Sequence, residues 1–191
     1  MNYPNGIKKN ITTTKSHVDH SNRGMSLESD INISNEYYRE KEIAYIYKKP
    51  TPIKIVKVDY PSRNKAVIKE AFFEAPSTTD YNGIYQGRYI DFEAKETKSK
   101  TSFPLSNIHP HQIKHIRNIY KEKGIAFLIV RFTTLDKTYM LLAKDFLTYI
   151  DNNDKKSIPL DYFETNGYEL KNKYMPRIDY LEIIKILYGG I

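Results

Sequence analysis

Two acidic side chains and one lysine occur at a spacing that could hold a divalent metal ion. Asp80 is followed by twelve residues and then by Glu93-Ala94-Lys95. Carboxylate oxygens suit Mg²⁺, which takes only one or two carboxylates from a protein and keeps several waters. A metal held in this way lowers the pKa of a bound water, and a lysine beside it can position that water or stabilise developing negative charge. Asp80, Glu93 and Lys95 are therefore the candidate catalytic residues.

The elements around these residues must bring them to one place. Residues 89–95 alternate between apolar and charged side chains, which predicts a half-buried strand with Ile90, Phe92 and Ala94 on one face. Asp91, Glu93 and Lys95 then share the opposite face. The segment 82–87 contains Asn-Gly and a second Gly, which predicts a turn that folds Asp80 back towards Glu93.

The same spacing has a simpler explanation. Glu-x-Lys is common in charged strands, and the pattern also fits a solvated strand face with an incidental ion pair. Asp91 lies on the face of Glu93, so its residue type alone makes it a further candidate. Glu28 could lean towards the site, although an acid in the first turn of a helix is favoured there by the helix dipole.

The charge distribution predicts a polyanionic partner. The net charge is +7, and residues 48–69 hold seven Lys or Arg side chains against one Asp. Such a local excess is typical of nucleic-acid binding, although a generally basic surface is the alternative. The chain has no cysteine, which excludes disulfides and thiolate zinc sites and is compatible with the cytoplasm. The polar N-terminus and the lack of a long apolar run predict neither a signal peptide nor a membrane span.

Helical and strand periods alternate along the chain, which predicts an α/β fold. The predicted helices are 26–42, a helix that begins near 108 and ends at Gly124, 143–150 and a final helix after 180, and the predicted strands are 43–47, 53–60, 66–74, 124–132 and 137–142. The runs 53–60 and 66–74 predict a long basic ribbon, with an ordinary hairpin inside the main sheet as the alternative. Arg177 and Asp179 are expected to form a structural ion pair.

Five longer blocks carry a resemblance to a known family. They are SNRGMSLE at 21–28, KKPTP at 48–52, STTDYNG at 77–83, YIDFEAKETKSKTSFPL at 89–105 and PRIDY at 176–180. With them the chain resembles RecU-type Holliday junction resolvases, which belong to the PD-(D/E)xK nucleases, over about residues 21–188. The resemblance implies a restriction-endonuclease-like core, in which helices flank a mixed β-sheet and a basic ribbon projects as a stalk that engages the junction.

The resemblance also implies a cofactor, partners and further site residues. Mg²⁺, for which Mn²⁺ can substitute, is expected at Asp80 and Glu93, and Thr78 and Gln112 are implied as additional ligands. The family pattern does not make Asp91 a ligand, so we assign it a supporting role. A homodimer that acts on four-way junction DNA is implied, together with a link to the recombinase RecA.

These expectations define the organisation of the chain. Residues 1–22 are predicted to be a flexible arm and residues 23–191 one nuclease domain, with the stalk inserted at about 50–76. Basic side chains of the ribbon and of the segment after Lys95 are the expected DNA contacts: Lys54, Lys57, Arg63, Lys65, Lys98 and Lys100.

The resulting hypothesis is Mg²⁺-dependent hydrolysis of phosphodiester bonds in Holliday junctions, in recombination and repair. The alternatives are a DNA-binding module that regulates RecA with little catalysis, and an ordinary duplex endonuclease. His111 and His115 lie four residues apart and could bind zinc, but no Glu lies between them and no third soft ligand is evident; phosphate binding or helix capping is the preferred interpretation.

Overall fold

A six-stranded sheet forms the centre of the computed structural model, which describes residues 26–62, 65–74 and 78–189. The predicted arm at 1–22 and the candidate Arg63 lie outside these ranges. The helices are α1 Leu27–Glu40, α2 Pro110–Lys121, α3 Ala143–Asn152, α4 Leu160–Asn166 and α5 Tyr180–Tyr188. The strands are β1 Tyr45–Lys48, β2 Ile53–Asp59, β3 Val67–Phe73, β4 Tyr81–Tyr85, β5 Arg88–Thr97, β6 Ser102–Pro104, β7 Ile125–Phe132, β8 Lys137–Leu142, β9 Ser157–Pro159 and β10 Tyr168–Glu169.

The central sheet is mixed, as predicted. Its strand order is β1-β4-β5-β7-β8-β10. Only β5 and β7 are parallel within it, and α2 supplies the crossover between them. Every residue of β7 is buried, which fits its unbroken apolar sequence and its place between two neighbours.

Both faces of the sheet are covered by helices. On one face, α1 and α5 pack over Phe92 and Phe127, whose rings stack with centroids 4.7 Å apart. On the other face, alternate residues of β7, from Ala126 to Phe132, pack with α2, α3 and α4 around Phe146 and Phe163. Glu93 is paired in register with Leu128 of this second cluster, so the polar face of β5 points inward rather than to solvent.

The hairpin that joins β4 to β5 is tighter than the predicted turn. Only Gln86 and Gly87 lie between the strands, with φ of 48° and 74°, as the turn type that suits two-residue hairpins requires. The Asn82-Gly83 pair belongs to β4 instead. A side chain at Gly83 would meet the backbone oxygen of Tyr45 at 2.1 Å, so this glycine allows the close approach of β1 rather than a turn.

Strands β2 and β3 form a separate two-stranded ribbon, as predicted, and the alternative of a hairpin inside the main sheet is wrong. Each residue of β3 is exposed, and in β2 only Val58 is half-buried. Exposure on both faces means that the described part of the chain does not cover the ribbon. The assignment of residues 50–76 as a stalk insertion in a single nuclease domain stays a prediction.

A buried ionic cluster ties α1 to β7 and to the C-terminal segment. Asp30 is 2% exposed and lies 2.7 Å from Arg131 and 3.1 Å from Arg177. The expected Arg177–Asp179 pair is therefore wrong, because Asp179 instead contacts Lys173 and accepts a hydrogen bond from Tyr38. Within the described ranges, no helix has the length and apolar character that a membrane span requires.

Candidate active site

The β4–β5 hairpin brings Asp80 next to Glu93, as the spacing predicted. Tyr81, the first residue of β4, is paired in register with Phe92, so Asp80, which immediately precedes β4, lies beside Glu93. The backbone N–H of Asp80 donates to Oε2 of Glu93 at 3.1 Å. The Glu93 carboxylate therefore lies against the backbone of Asp80, and the two side chains are close enough for Asp80 to raise the pKa of Glu93.

Glu93 is completely buried, and its ionisation reflects that position. Burial and, after it, the neighbouring Asp80 raise the pKa of Glu93 to about 8, although Lys95 opposes both effects. Two carboxyl groups that share a buried site resist carrying two negative charges unless a cation is present. With no further cation beside it, the Glu93 carboxyl therefore keeps its proton to a higher pH than an ordinary Glu.

Lys95 completes the predicted set. Its ammonium nitrogen lies 2.7 Å from Oε1 of Glu93, and its side chain is 24% exposed. Oε1 is buried and accepts no well-aligned hydrogen bond from any described residue, so the ion pair with Lys95 leaves a lone pair of this oxygen available. Two adjacent carboxylates with a free buried oxygen fit a hard divalent cation, which takes one or two carboxylates and keeps its waters.

A cleft of about 230 Å³ opens beside Asp80. Asp80 and Lys95 line it together with the N-terminal end of α1, where Glu28 stands. Glu28 is exposed and lies 2.6 Å from Lys48, so it closes one side of the cleft as an ion pair. Helix α1 is fixed at this edge because Glu96 accepts a hydrogen bond from the backbone N–H of Leu27 at 2.7 Å.

Asp91 is the centre of a buried polar network that sequence reasoning missed. Its carboxylate is completely buried. Oδ2 lies 2.8 Å from Nζ of Lys49 and 3.1 Å from Nε2 of His115, and it accepts from the hydroxyl of Tyr89 at 2.9 Å. Oδ1 accepts from the hydroxyl of Thr79. These four contacts are the means by which Asp91 could support the site, as predicted for it.

This network holds the segment that carries Asp80. Lys49 donates from Nζ to the hydroxyl of Thr79 at 3.0 Å, and its backbone N–H donates to the carbonyl oxygen of Asp80 at 2.8 Å. Asp91 therefore contacts Thr79, which precedes Asp80 in the chain, and Lys49, whose backbone N–H binds the Asp80 carbonyl. The alternation of apolar and charged residues along β5 predicted that Asp91 shares a face with Glu93. Nothing in the local sequence indicated Lys49 or His115 as partners of Asp91.

The structure brings Thr78 and Gln112 less directly into the site. Thr78 is half-buried two residues before Asp80, and its hydroxyl donates to the carbonyl of Thr79 at 3.4 Å. Gln112 is 4% exposed, and its side-chain oxygen accepts from the backbone N–H of His109 at 2.9 Å, in the first turn of α2. Neither side chain hydrogen-bonds Asp80 or Glu93 in the described ranges, so their role as ligands stays a prediction.

The expected DNA contacts are exposed wherever they are described. Lys54 and Lys57 lie on β2 and Lys65 precedes β3, while Lys98 and Lys100 follow β5 close to Lys95. None of these five lysines has an ion-pair partner among the described residues, which leaves their charges available to phosphates. Their contact with DNA stays a prediction.

The two histidines of α2 occupy different environments. His115 contacts Asp91, whereas Nε2 of His111 is buried and has no hydrogen-bond partner among the described residues. The residues that the structure describes contain no group of three His, Cys, Asp or Glu side chains that could hold a metal.

The sequence was compared with families and individual proteins. The family model described as RecU: Recombination protein U matches residues 22–186. A protein of Staphylococcus aureus strain JH9 and one of strain MRSA252, both named Holliday junction resolvase RecU, are each 54% identical to the chain over 196 residues. The alignments cover 96% of this chain and 94% of each relative.

The structure was also compared with solved structures. It is similar to Hjc, a Holliday junction resolvase from the archaeal hyperthermophile Archaeoglobus fulgidus, with a TM-score of 0.42 and 8% sequence identity. The match covers 73% of this chain and 94% of that one. A likeness of this size carries no conclusion of its own.

Proposed function

Because the chain belongs to the Recombination protein U family, we propose that it is the Holliday junction resolvase of its source organism. It is an endonuclease of DNA recombination and repair, and its substrate is four-way junction DNA. The observation that carries this proposal is the approach of Asp80 to Glu93, with Lys95 2.7 Å from the same carboxylate and with Asp80 and Lys95 lining a cleft.

The proposed reaction is hydrolysis of a phosphodiester bond with Mg²⁺ as cofactor, and Mn²⁺ as a substitute. Asp80 and Glu93 would hold the cation, with Thr78 and Gln112 as further ligands. When bound, the cation supplies a water of lowered pKa and offsets charge on the phosphate. Glu93 must release its proton before it can serve as a ligand, since burial and Asp80 hold its pKa near 8.

Lys95 acts on the phosphate side of the site. It is the cation nearest to the carboxylate pair, and a quarter of its side chain is open to the cleft. A preorganised ammonium in a partly desolvated site stabilises charge that develops on the scissile phosphate at little cost in reorganisation. Asp91 does not touch the reacting atoms in this proposal; it positions Asp80 through Lys49 and Thr79.

The DNA surface extends from the cleft to the ribbon. The exposed lysines of β2, β3 and the segment after β5 supply a sequence-independent attraction for phosphates. Because a junction has two equivalent strands to cut and the chain offers one catalytic set, we propose a two-fold homodimer. Contact with RecA and a cytoplasmic location complete the proposal.

A comparison of substrates tests the proposal. The purified chain with Mg²⁺ is expected to cut a mobile four-way junction at symmetric positions and to leave a linear duplex of the same sequence intact. Equal cutting of both would indicate an ordinary duplex endonuclease. Binding of the junction without any cutting, in Mg²⁺ or Mn²⁺, would indicate a regulatory DNA-binding module.

A further inference from the structure

A second basic cleft lies away from the catalytic carboxylates. It has a volume of about 430 Å³ and opens where β5 and β7 begin, beside the first turn of α3. Four cationic side chains and two tyrosines are prominent in its lining: Arg88, Lys121, Lys123, Lys144, Tyr120 and Tyr188. None of these residues belongs to the ribbon or to the catalytic set.

The four cations of this cleft have no ion-pair partner within the described ranges, and Asp145, in the first turn of α3, is the acidic side chain that acts on the lining residue Tyr188. Other basic residues such as Arg117 and Lys137 have acidic partners. The guanidinium of Arg88 instead lies 5.8 Å from the ring centroid of Tyr188. Four like charges around one concave surface repel each other, and an anion that enters the cleft relieves this repulsion.

The N-terminal end of α3 adds to the positive potential in the cleft. Leu142 precedes the helix and provides no side-chain cap for it, and Leu142, Ala143 and Lys144 all line the cleft. The first backbone N–H groups of a helix have no partner within the helix and favour negative charge. Together with the four cations they make the cleft suited to a phosphate group.

The position of the cleft relative to the active site indicates which phosphates it would meet. Arg88 begins β5 and Glu93 lies five residues further along the same strand, a separation of about 17 Å at the usual strand rise. This is roughly half of one helical turn of duplex DNA, which spans about 34 Å. A single duplex arm that reaches the catalytic carboxylates is therefore long enough to reach the cleft.

We propose that this cleft binds the phosphodiester backbone of a junction arm at a point remote from the bond that is cut. The proposal rests on the proposed function for the identity of the polyanion. Its contacts are independent of base sequence, because lysine, arginine and backbone N–H groups bind phosphate oxygens. The cleft thus acts as a second anchor that fixes the direction in which the arm leaves the active site.

Charge reversal within the cleft tests the proposal. The variant K121E/K123E/K144E and the matched control K155E/K156E/K171E carry the same change in net charge, and the control lysines are exposed and without described acidic partners. Both are made in the Glu93→Gln background, which keeps the substrate uncut. Binding of a fluorescent four-way junction is measured at several salt concentrations, without divalent metal.

The cleft variant is expected to bind the junction at least about tenfold more weakly than the control. The slope of log K against log salt is expected to fall by about 2 to 3, since each lost phosphate contact removes about 0.9. Equal affinity and slope in the two variants overturn the proposal. Unchanged junction binding with loss of binding to polyglutamate also overturns it, in favour of an acidic polypeptide as the occupant.

Two further measurements distinguish a failure of the cleft proposal from a failure of the proposed function or a failure of the variant to fold. Cutting of the junction by the unmodified chain tests the proposed function alone, so a failure there is distinguishable from a failure of the cleft. If the charge-reversed variant does not fold by circular dichroism, K121Q/K123Q/K144Q against K155Q/K156Q/K171Q replaces the pair. About half of the change in affinity is then expected, and no difference between these two variants overturns the proposal.

Discussion

The ammonium nitrogen of Lys49 lies 2.8 Å from Oδ2 of Asp91, which joins the end of β1 to the completely buried carboxylate of β5. The backbone N–H of Lys49 meanwhile donates to the carbonyl of Asp80. One residue thus contacts both the supporting carboxylate and the segment that carries a proposed metal ligand. A substitution of Asp91 is therefore expected to alter the position of the Asp80 backbone, because Lys49 contacts both residues.

Asp91→Ala is expected to lower the free energy of unfolding by about 2–4 kcal/mol, because it leaves Lys49 without its buried partner. Urea denaturation measures this loss. A double-mutant cycle with Lys49→Met is the control, and a coupling energy of about 1–3 kcal/mol is expected for the pair. Strictly additive effects of the two substitutions would contradict the proposed coupling.

Asp80→Asn and Glu93→Gln are each expected to bind junction DNA and leave it uncut, with the cleavage rate reduced at least about 100-fold. The reason is that each variant removes one of the two carboxylates proposed to hold the metal, and with it the activation of water. Electrophoretic mobility shifts measure binding, and a single-turnover cleavage assay measures the rate. Cleavage at the normal rate by either variant would exclude the assigned metal site.

Much of this site follows from short-range sequence patterns. Apolar and charged residues alternate along β5, and this period alone predicts Glu93 and Lys95 on one face. The bounds of β8 agree with the predicted strand, and β7 begins one residue later than predicted. These features depend on near neighbours in the chain. The turn was predicted too early because Gly83 is required by the approach of β1, a contact that no local pattern encodes.

The rest of the site depends on tertiary contacts. Lys49 and His115 are 42 and 24 residues from Asp91 in the sequence, and only the folded sheet and α2 bring them together. Thr78 and Gln112 entered through the family resemblance, because neither composition nor spacing distinguishes a ligand threonine or glutamine from others. The second basic cleft is assembled from four separate segments, so its charge is not visible as a run in the sequence.

Lys95→Ala is expected to lower the rate of the cleavage step by about 10²–10³, the usual effect of removing one group that stabilises developing charge. Junction affinity is expected to change little, because one phosphate contact among many is lost. Single-turnover kinetics at saturating enzyme measure the step. Lys156→Ala, at an exposed lysine that contacts neither carboxylate, is the control, and an equal effect of both substitutions would contradict the role of Lys95.

Reversing the ribbon charges in K54E/K57E/K65E is expected to weaken junction binding and to reduce its salt slope by about 2 to 3. These lysines are exposed, and none has a described ion-pair partner, so the fold should tolerate the change. Fluorescence anisotropy over a salt series gives both quantities. The K155E/K156E/K171E variant controls for net charge, and an unchanged slope relative to it would remove the ribbon from the interface.

The metal-free protein is expected to lose stability as the pH rises from about 5 to 8. Burial, reinforced by Asp80, raises the pKa of Glu93 from its ordinary 4.5 to about 8 in the folded chain. Between these values the folded state binds the proton that the unfolded state has released, so the free energy of unfolding falls with increasing pH. The slope from this one group approaches about 1.4 kcal/mol per pH unit.

Urea denaturation in EDTA at several pH values measures this dependence, and Glu93→Gln is the matched control because it keeps the size of the side chain and cannot ionise. The difference in unfolding free energy between the variant and the unmodified chain should grow with pH, in favour of the variant, by on the order of a few kcal/mol. Mg²⁺ should reverse the loss at pH 8 in the unmodified chain only, since it competes with the proton for the same carboxylate. Parallel pH profiles for the two proteins would mean that Glu93 ionises normally in the folded chain. The raised pKa of Glu93, on which this argument for a metal site depends, would then be wrong.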